Sequence, residues 1–136
     1  MTPRYLLDTN TVSDFIQGTY AKLHQRMQRA MRDENIFLSS VTRAEIRYRQ
    51  ALMSADDRRQ HRIKLFLDNL PTLAWTLAAA DEYGPIKATL KLQGTPIGEL
   101  DTQIAAYGLV EDFILITHNM RHFEKIPRLK LADWVP

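Results

Sequence analysis

The stretch RYLLDTNTVS, residues 4–13, sets a short apolar run directly against three polar side chains. Residues 5–7 have the composition of a buried strand, and Asp8, Thr9 and Asn10 follow at once. Asp8 fits a surface turn or a helix cap. It also fits an active site, because such sites form beyond the carboxyl ends of parallel strands.

Four further apolar runs have the same strand character and lie at residues 36–38, 72–75, 114–116 and, more weakly, 129–131. Between the runs lie segments with helical periodicity, at residues 11–17, 20–32, 41–53, 56–69, 76–92 and 99–111. Strands that alternate with helices indicate a parallel sheet covered on both faces. The pattern therefore predicts an α/β fold.

The composition is that of an ordinary globular protein. The chain has 136 residues, of which 45% are hydrophobic and 25% charged, so we expect a single domain over residues 1–136. An apolar run long enough for a membrane helix is absent from the sequence, as is cysteine. The absence of cysteine agrees with a reducing compartment. Because a membrane helix is also not expected, we predict a cytoplasmic protein.

The positive charge is concentrated in one part of the chain. The net charge is only +2, but residues 21–65 hold eleven Lys and Arg against five Asp and Glu. This segment could present a basic face to a polyanion. Ordinary solvated helix faces would explain the same composition.

Glu45 interrupts an apolar stripe on the segment VTRAEIRYRQALM, residues 41–53. The stripe is predicted from helical spacing and comprises Val41, Ala44, Tyr48 and Leu52. Glu45 is four residues after Val41 and three before Tyr48, so we expect it to point inward or to the margin of the stripe.

Asp101 breaks a second apolar face in the same way. The predicted face consists of Ile97, Leu100, Ile104, Ala105, Gly108 and Leu109. Asp101 lies four residues after Ile97 and three before Ile104, which aims its carboxylate at the core. Glu99 leaves that face, so we expect it to be solvated, with at most a secondary role.

Taken singly, each of the three acids also fits a capping or solvated role. Gathered together, Asp8, Glu45 and Asp101 would repel one another unless a cation compensates them. Mg²⁺ or Mn²⁺ fits this set of ligands best, because these ions prefer carboxylate oxygens and keep coordination positions for water and phosphate. A metal ion held there could activate water against a phosphodiester.

Polar side chains near the same strand ends could orient the acids or the substrate. These are Thr9, Asn10, Thr117 and Asn119. His118 lies beside them and fits either a catalytic role or a solvated one. We predict the other histidines, His24, His61 and His122, to be surface residues. Three methionines, Met27, Met31 and Met53, fit a partner groove or the core equally well.

Four blocks in the sequence together resemble a known family. They are LLDTN at residues 6–10, SSVTRAE at 39–45, TPIGELDTQIAA at 95–106 and LITHNMRHFEKIPRLKLADW at 115–134. In this order and at these separations they are similar to the motifs of PIN-domain ribonucleases, specifically the VapC toxins of bacterial toxin–antitoxin pairs. The resemblance spans residues 4–134.

The resemblance implies a three-layer α/β/α fold around a mostly parallel sheet of about five strands. It also implies Mg²⁺- or Mn²⁺-dependent cleavage of RNA, with Asp8, Glu45 and Asp101 matching the family's metal-binding acids. Many relatives carry an aspartate at the position of Asn119. The resemblance therefore implies that Asn119 is one of the catalytic residues. This departure from the pattern leaves open whether one or two metal ions bind.

The blocks most resemble the VapC branch that cuts initiator tRNA, tRNA(fMet), in its anticodon stem-loop. The resemblance also implies a cognate VapB antitoxin, whose C-terminal segment covers the site with a basic side chain, and toxin homodimers. RNA, an antitoxin and a second copy of the chain are thus the expected partners.

Two other interpretations stay open on the sequence alone. The first is a PIN-like module with an inactive site that binds RNA or a partner. The second is a haloacid dehalogenase-like phosphatase, which would use Asp8 as a nucleophile. Asn10 stands where the second acid of that family's motif would be.

Overall fold

The structure is a computed structural model that describes residues 2–136. Its sheet contains the strands β1 (Tyr5–Leu7), β2 (Ile36–Ser39), β3 (Thr72–Leu73), β4 (Ile114–Ile116) and β5 (Lys130–Ala132). Their order is β3-β2-β1-β4-β5, and each neighbouring pair is parallel. The predicted parallel sheet of five strands is confirmed, although β3 is shorter than the apolar run suggested.

The helices are α1 (Thr9–Gln17), α2 (Ala21–Arg32), α3 (Ser40–Leu52), α4 (Arg59–Asn69), α5 (Leu77–Leu92), α6 (Glu99–Val110) and α7 (Met120–Phe123). The first six match the segments predicted from periodicity to within three residues at each end. The helix α7 was missed, because four residues are too short to display a helical period. No helix in the described part of the chain is long and apolar enough to cross a membrane.

The two faces of the sheet carry separate apolar cores. Side chains alternate along a strand, so neighbouring residues of β1 point to opposite faces. Leu7 belongs to the core that includes Phe66 of α4, and Leu6 to the core that includes Ile86 of α5 and Ile104 of α6. Helices therefore cover both faces, and the predicted three-layer α/β/α fold is confirmed.

The order of the strands creates a crevice beside β1. The chain runs outward through β2 and β3 on one side of β1, and then returns to place β4 and β5 on the other side. Ligands of open parallel sheets bind at such a reversal, beyond the carboxyl ends of the strands. Asp8 follows β1 and Thr117 follows β4, so both lie at this position.

The buried face of α3 differs from the predicted stripe. Tyr48 and Leu52 are 64% and 71% exposed, whereas Thr42 and Ile46 are buried. Thr42 can be buried because its hydroxyl donates to the carbonyl of Leu7 at 3.5 Å. The predicted stripe was wrong because helical spacing assigns only apolar residues to the core. It does not identify a threonine that can be buried because its hydroxyl forms a hydrogen bond in the interior.

The N-terminus of α3 is capped by a serine side chain. Ser39 accepts a hydrogen bond on Oγ from the backbone N–H of Thr42 at 3.1 Å. Ser39 is also the last residue of β2. The helix that carries Glu45 therefore begins directly at the end of the strand next to β1.

The three methionines on the basic helices mainly fill the core. Met27 is fully buried, and Met31 and Met53 are half-buried and pack against the same core. This supports the core alternative for Met27 and Met31. Met53 also lines a surface cleft between α1, α3 and α4.

Candidate active site at the carboxyl edge of the sheet

Asp8 is buried and accepts hydrogen bonds on both carboxylate oxygens. Its exposed fraction is 4%. Oδ1 accepts from the backbone N–H of Thr11 at 2.8 Å, so Asp8 caps α1. Oδ2 accepts from the hydroxyl of Thr117 at 2.6 Å. Asp8 thus caps a helix, one of the roles left open by the sequence, and it also lies at the crevice.

Thr117 connects the segment after β4 to Asp8. Its side chain is buried, and its Oγ1 also accepts from the backbone N–H of Asn119 at 3.1 Å. This arrangement agrees with the predicted orienting role of Thr117. Asn119 is exposed and occupies the N-cap position of α7, two residues from Thr117.

Glu45 lies at the margin of α3, with its side chain 21% exposed. Oε2 accepts from the hydroxyl of Thr9 at 2.9 Å, and Oε1 accepts from Nη2 of Arg49 at 3.1 Å. The buried Thr9 therefore orients Glu45. An orientation inward or toward the margin of the stripe was expected, and Glu45 lies at the margin, although the stripe itself was wrong.

Asp101 lies in the first turn of α6, and its side chain is 36% exposed. Oδ2 is 2.9 Å from Nε2 of His122. Burial raises the pKa of Asp101, the neighbouring His122 lowers it, and the negative charges of Asp8 and Glu45 raise it further; the net pKa lies above its usual range. The charges of Asp8 and Glu45 therefore act on Asp101.

The chemistry of these side chains fits a hard divalent cation. Carboxylate oxygens are its preferred ligands. Burial is the main cause of the raised pKa of Asp101, and a cation would compensate the negative charges of Asp8 and Glu45 that raise it further. Within residues 2–136, however, no three acidic or histidine side chains are already gathered as a ligand set. Glu45 instead faces Arg49, and Asp101 faces His122.

His122 is a site residue that the sequence did not reveal. It was predicted to lie at the surface, but its side chain is only 28% exposed and contacts Asp101. Its ring also packs edge-on against the buried Phe123, with the centroids 5.4 Å apart. Because α7 turns the chain back toward α6, a residue with no periodic signal of its own reaches the site.

His118 contacts a different part of the molecule. Its side chain is 53% exposed, and Nδ1 lies 2.9 Å from Oδ2 of Asp133. Its ring centroid lies 5.9 Å from that of Tyr20. The histidine that contacts a predicted acid of the site is therefore His122 rather than His118.

A cleft of about 290 Å³ runs along Glu45 and Asp101, and Asp8 is not among its lining residues. We call it the acid cleft; its lining residues are Thr9, Asn10, Glu45, Arg49, Gly98, Glu99, Leu100 and Asp101. Glu99 is 72% exposed, as predicted, and accepts from Nζ of Lys87 at 3.0 Å. Asn10 is exposed and accepts from Arg49 at 3.5 Å.

Asp14 is a further acid close to Asp8. It lies on α1, and burial raises its pKa, as does the negative charge of Asp8, while His118 lowers it. The sequence did not single it out, because one polar residue in a short helix has no distinctive spacing.

Much of the basic segment at residues 21–65 is used in contacts within the protein. Arg43 donates to Oγ1 of Thr72 at 3.0 Å, and Lys64 pairs with Asp68 at 2.7 Å. Arg59 pairs with Asp57 at 2.8 Å, and this pairing lowers the pKa of Asp57 to about 2. These contacts favour the alternative of ordinary helix faces for most of the segment.

Comparison with known proteins identifies the same family. The PIN domain model matches residues 5–129. The chain is 34% identical to ribonuclease VapC2 of Haemophilus influenzae over 97% of this chain and 98% of that protein. It is 30% identical to the tRNA(fMet)-specific endonuclease VapC of Salmonella typhimurium over 96% of this chain and 98% of that protein.

Solved structures of toxin–antitoxin complexes have the same fold. The DNA-bound VapBC of Salmonella typhimurium matches with a TM-score of 0.88 and 29% identity, covering 98% of this chain and 99% of that chain. VapBC2 of Rickettsia felis, bound to a DNA fragment from the promoter, matches with a TM-score of 0.87 and 26% identity, covering 96% and 98%. The chain therefore belongs to the PIN-domain family and, within it, to the VapC ribonucleases.

Proposed function

We propose that the chain is a divalent-metal-dependent endoribonuclease toxin that hydrolyses phosphodiester bonds in tRNA. The observation that carries this proposal is the set of three carboxylates at the reversal point of the sheet. Burial raises the pKa of Asp101, and Asp8 and Glu45 lie close enough for their charges to raise it further. Acids that repel one another in a cleft are typical of a cation site.

Asp8, Glu45 and Asp101 are the residues that would hold Mg²⁺ or Mn²⁺. Such an ion, when bound, activates water and neutralises charge on the phosphate. The protein's own contribution is to fix the acids in place. The hydroxyls of Thr117 and Thr9 each donate to one of them, at 2.6 Å to Asp8 and 2.9 Å to Glu45.

Asn119 is proposed to serve as a neutral oxygen ligand or as a contact for the substrate. Its backbone N–H donates a hydrogen bond to Oγ1 of Thr117, and the same hydroxyl donates to Asp8. An amide oxygen contributes no negative charge, so this position binds a second cation less strongly than an aspartate would. We therefore propose that one metal ion suffices for activity.

The choice of tRNA as substrate is supported by the relatives. The similar protein from Shigella flexneri, like that from Salmonella typhimurium, is named a tRNA(fMet)-specific endonuclease, at 30% identity to this chain. Other relatives of equal or greater identity are named only as ribonucleases. Initiator tRNA, cut in its anticodon stem-loop, is the substrate we propose to test first.

A VapB antitoxin is the proposed protein partner, and a homodimer the proposed state of the toxin. The similar solved structures are VapBC complexes. A cleft of about 500 Å³, lined by residues of α1, α3 and α4, offers a concave surface for a partner. Because tRNA is found in the cytoplasm, we propose that the protein acts there. We also propose that a single PIN domain over residues 1–136 carries the activity.

The test is cleavage of total tRNA by the purified protein, freed of antitoxin. We expect fragments with Mg²⁺ or Mn²⁺ and intact tRNA with EDTA. Fragments that persist in EDTA would contradict the metal requirement. A folded protein that binds RNA but cuts none would favour the inactive binding module, and hydrolysis of a phosphate monoester instead would favour the phosphatase.

A further inference from the structure

Arg49 is held in a fixed position between two helices. It lies on α3, and its Nη1 donates to Oγ of Ser13 on α1 at 3.0 Å. Its Nη2 donates to Oε1 of Glu45 at 3.1 Å and, more weakly, to Oδ1 of Asn10 at 3.5 Å. The guanidinium is thus oriented by three side chains before any ligand binds.

The position of Arg49 is unusual for a paired arginine. It lines the acid cleft and also the cleft of about 500 Å³ between α1, α3 and α4, so it lies where the two meet. Its side chain remains 39% exposed. A molecule that extends from one cleft to the other would pass over this guanidinium.

The ion pair of Arg49 differs from those of other cations in the basic segment. Arg59 and Lys64 pair with Asp57 and Asp68, which lie outside the acid cleft. Arg49 pairs with Glu45, an acid proposed to hold a cation. The exposed part of Arg49 can attract an anion without a metal ion, and it attracts one more strongly when Glu45 shares its negative charge with a metal ion.

We propose that Arg49 binds a backbone phosphate of RNA at the acid cleft and that, before RNA binds, it weakens the affinity of the site for divalent cations. A planar guanidinium with several donors is well suited to a phosphate. Its positive charge beside Glu45 opposes a second cation there. The inference rests on the proposed function in taking RNA as the substrate.

The test uses Arg49→Gln and Arg49→Lys, with Arg47→Gln as the matched control. Arg47 is an exposed residue of the same helix and donates to Gln50 at 2.8 Å, away from the acid cleft. Unfolding midpoints confirm that each variant is folded. The first readout is binding of a short fluorescent RNA hairpin in EDTA, titrated over a range of salt concentrations.

Each phosphate that a cation neutralises adds about 0.7 to 0.9 to the slope of log affinity against log salt. For Arg49→Gln we expect about tenfold weaker binding at low salt and a slope shallower by that amount. We expect Arg49→Lys to keep the wild-type slope, because it keeps the charge, and Arg47→Gln to bind as the wild type does.

The second readout is the affinity for Mn²⁺ without RNA, measured by calorimetry. We expect Arg49→Gln to bind Mn²⁺ several-fold more tightly than the wild type and than Arg47→Gln. An Arg49→Gln variant with the wild-type salt slope would overturn the phosphate contact. An Arg49→Lys variant with the shallow slope would also overturn the phosphate contact. The change in salt dependence could then not be attributed to the loss of the positive charge, because lysine keeps it.

The two proposals can fail separately. Wild-type protein that binds the hairpin with a steep salt dependence but cuts no RNA would contradict the nuclease, while the salt slopes would still decide the role of Arg49. Wild-type protein that does not bind the hairpin would overturn both. An unchanged Mn²⁺ affinity in Arg49→Gln would contradict the opposition between Arg49 and the cation.

Discussion

The hydroxyl of Thr117 donates a hydrogen bond of 2.6 Å to Oδ2 of Asp8, joining the residues that follow two neighbouring parallel strands. Both side chains are buried. The bond fixes the orientation of Asp8 at the reversal point of the sheet. An acid held in this way can serve as a metal ligand without reorganising when the ion binds.

Replacement of Thr117 by valine tests this relationship. Thr117→Val leaves Oδ2 of a buried carboxylate without its donor, so we expect the free energy of unfolding to fall by about 1 to 3 kcal/mol. The measurement is urea unfolding of the metal-free protein. We also expect tRNA cleavage to slow by about 10- to 100-fold.

Thr95→Val is the matched control for this prediction. The hydroxyl of Thr95 is buried and makes no hydrogen bond to any residue of the described chain, so its loss should leave the free energy of unfolding unchanged or raise it. Equal effects of the two substitutions would show that the bond to Asp8 does not stabilise the protein.

The raised pKa of Asp101 predicts a dependence of stability on pH. Because the folded protein binds this proton more tightly than the unfolded chain does, ionisation of Asp101 lowers the free energy of unfolding as the pH rises through the folded pKa. Asp101→Asn should therefore raise the melting temperature of the metal-free protein at pH 7, by about 1 to 3 °C.

The gain from Asp101→Asn should shrink as the pH falls toward the usual range for carboxyl groups, where the wild-type side chain is protonated as well. Thermal unfolding over a series of pH values, in EDTA, measures this. A variant that is less stable than the wild type at pH 7 would show that the pairing with His122 outweighs burial and repulsion.

Metal binding should make the wild type more stable than Asp101→Asn, the reverse of the order expected without metal. An ion that binds only the folded protein stabilises it by about 2.7 kcal/mol at 100 times its dissociation constant. We therefore expect Mn²⁺ to raise the melting temperature of the wild type, and EDTA to restore the original value. Asp101→Asn should respond weakly; a response equal to that of the wild type would place the ion elsewhere.

The central part of the fold could be predicted because its signals are local. The runs at residues 5–7, 36–38 and 114–116 are apolar and short, and each forms a strand of the sheet. Helix α7 and the buried face of α3 could not be predicted. Helix α7 has only four residues, about one turn, so its apolar positions cannot repeat. The buried face of α3 depends on a threonine that is buried because its hydroxyl finds an acceptor in β1.

The acids of the candidate site were singled out because each interrupts an apolar pattern in the sequence, although the pattern assigned to α3 is not the face that this helix buries. The side chains that contact them were missed. His122 is separated from Asp101 by helix α6, strand β4 and the turn into α7, and only the folded chain brings the two within 2.9 Å. Arg49 is one turn from Glu45, but its position between two clefts depends on the packing of α1.

The most direct test of the shared cation site is the rate at which Asp101→Asn cleaves end-labelled initiator tRNA in Mn²⁺. The control is Asp112→Asn, the same chemical change at an exposed residue with a positive φ of 56°, a backbone conformation that asparagine adopts readily. We predict a loss of at least about 100-fold for Asp101→Asn and a wild-type rate for Asp112→Asn. Cleavage by Asp101→Asn at the wild-type rate would contradict a cation site shared by Asp8, Glu45 and Asp101.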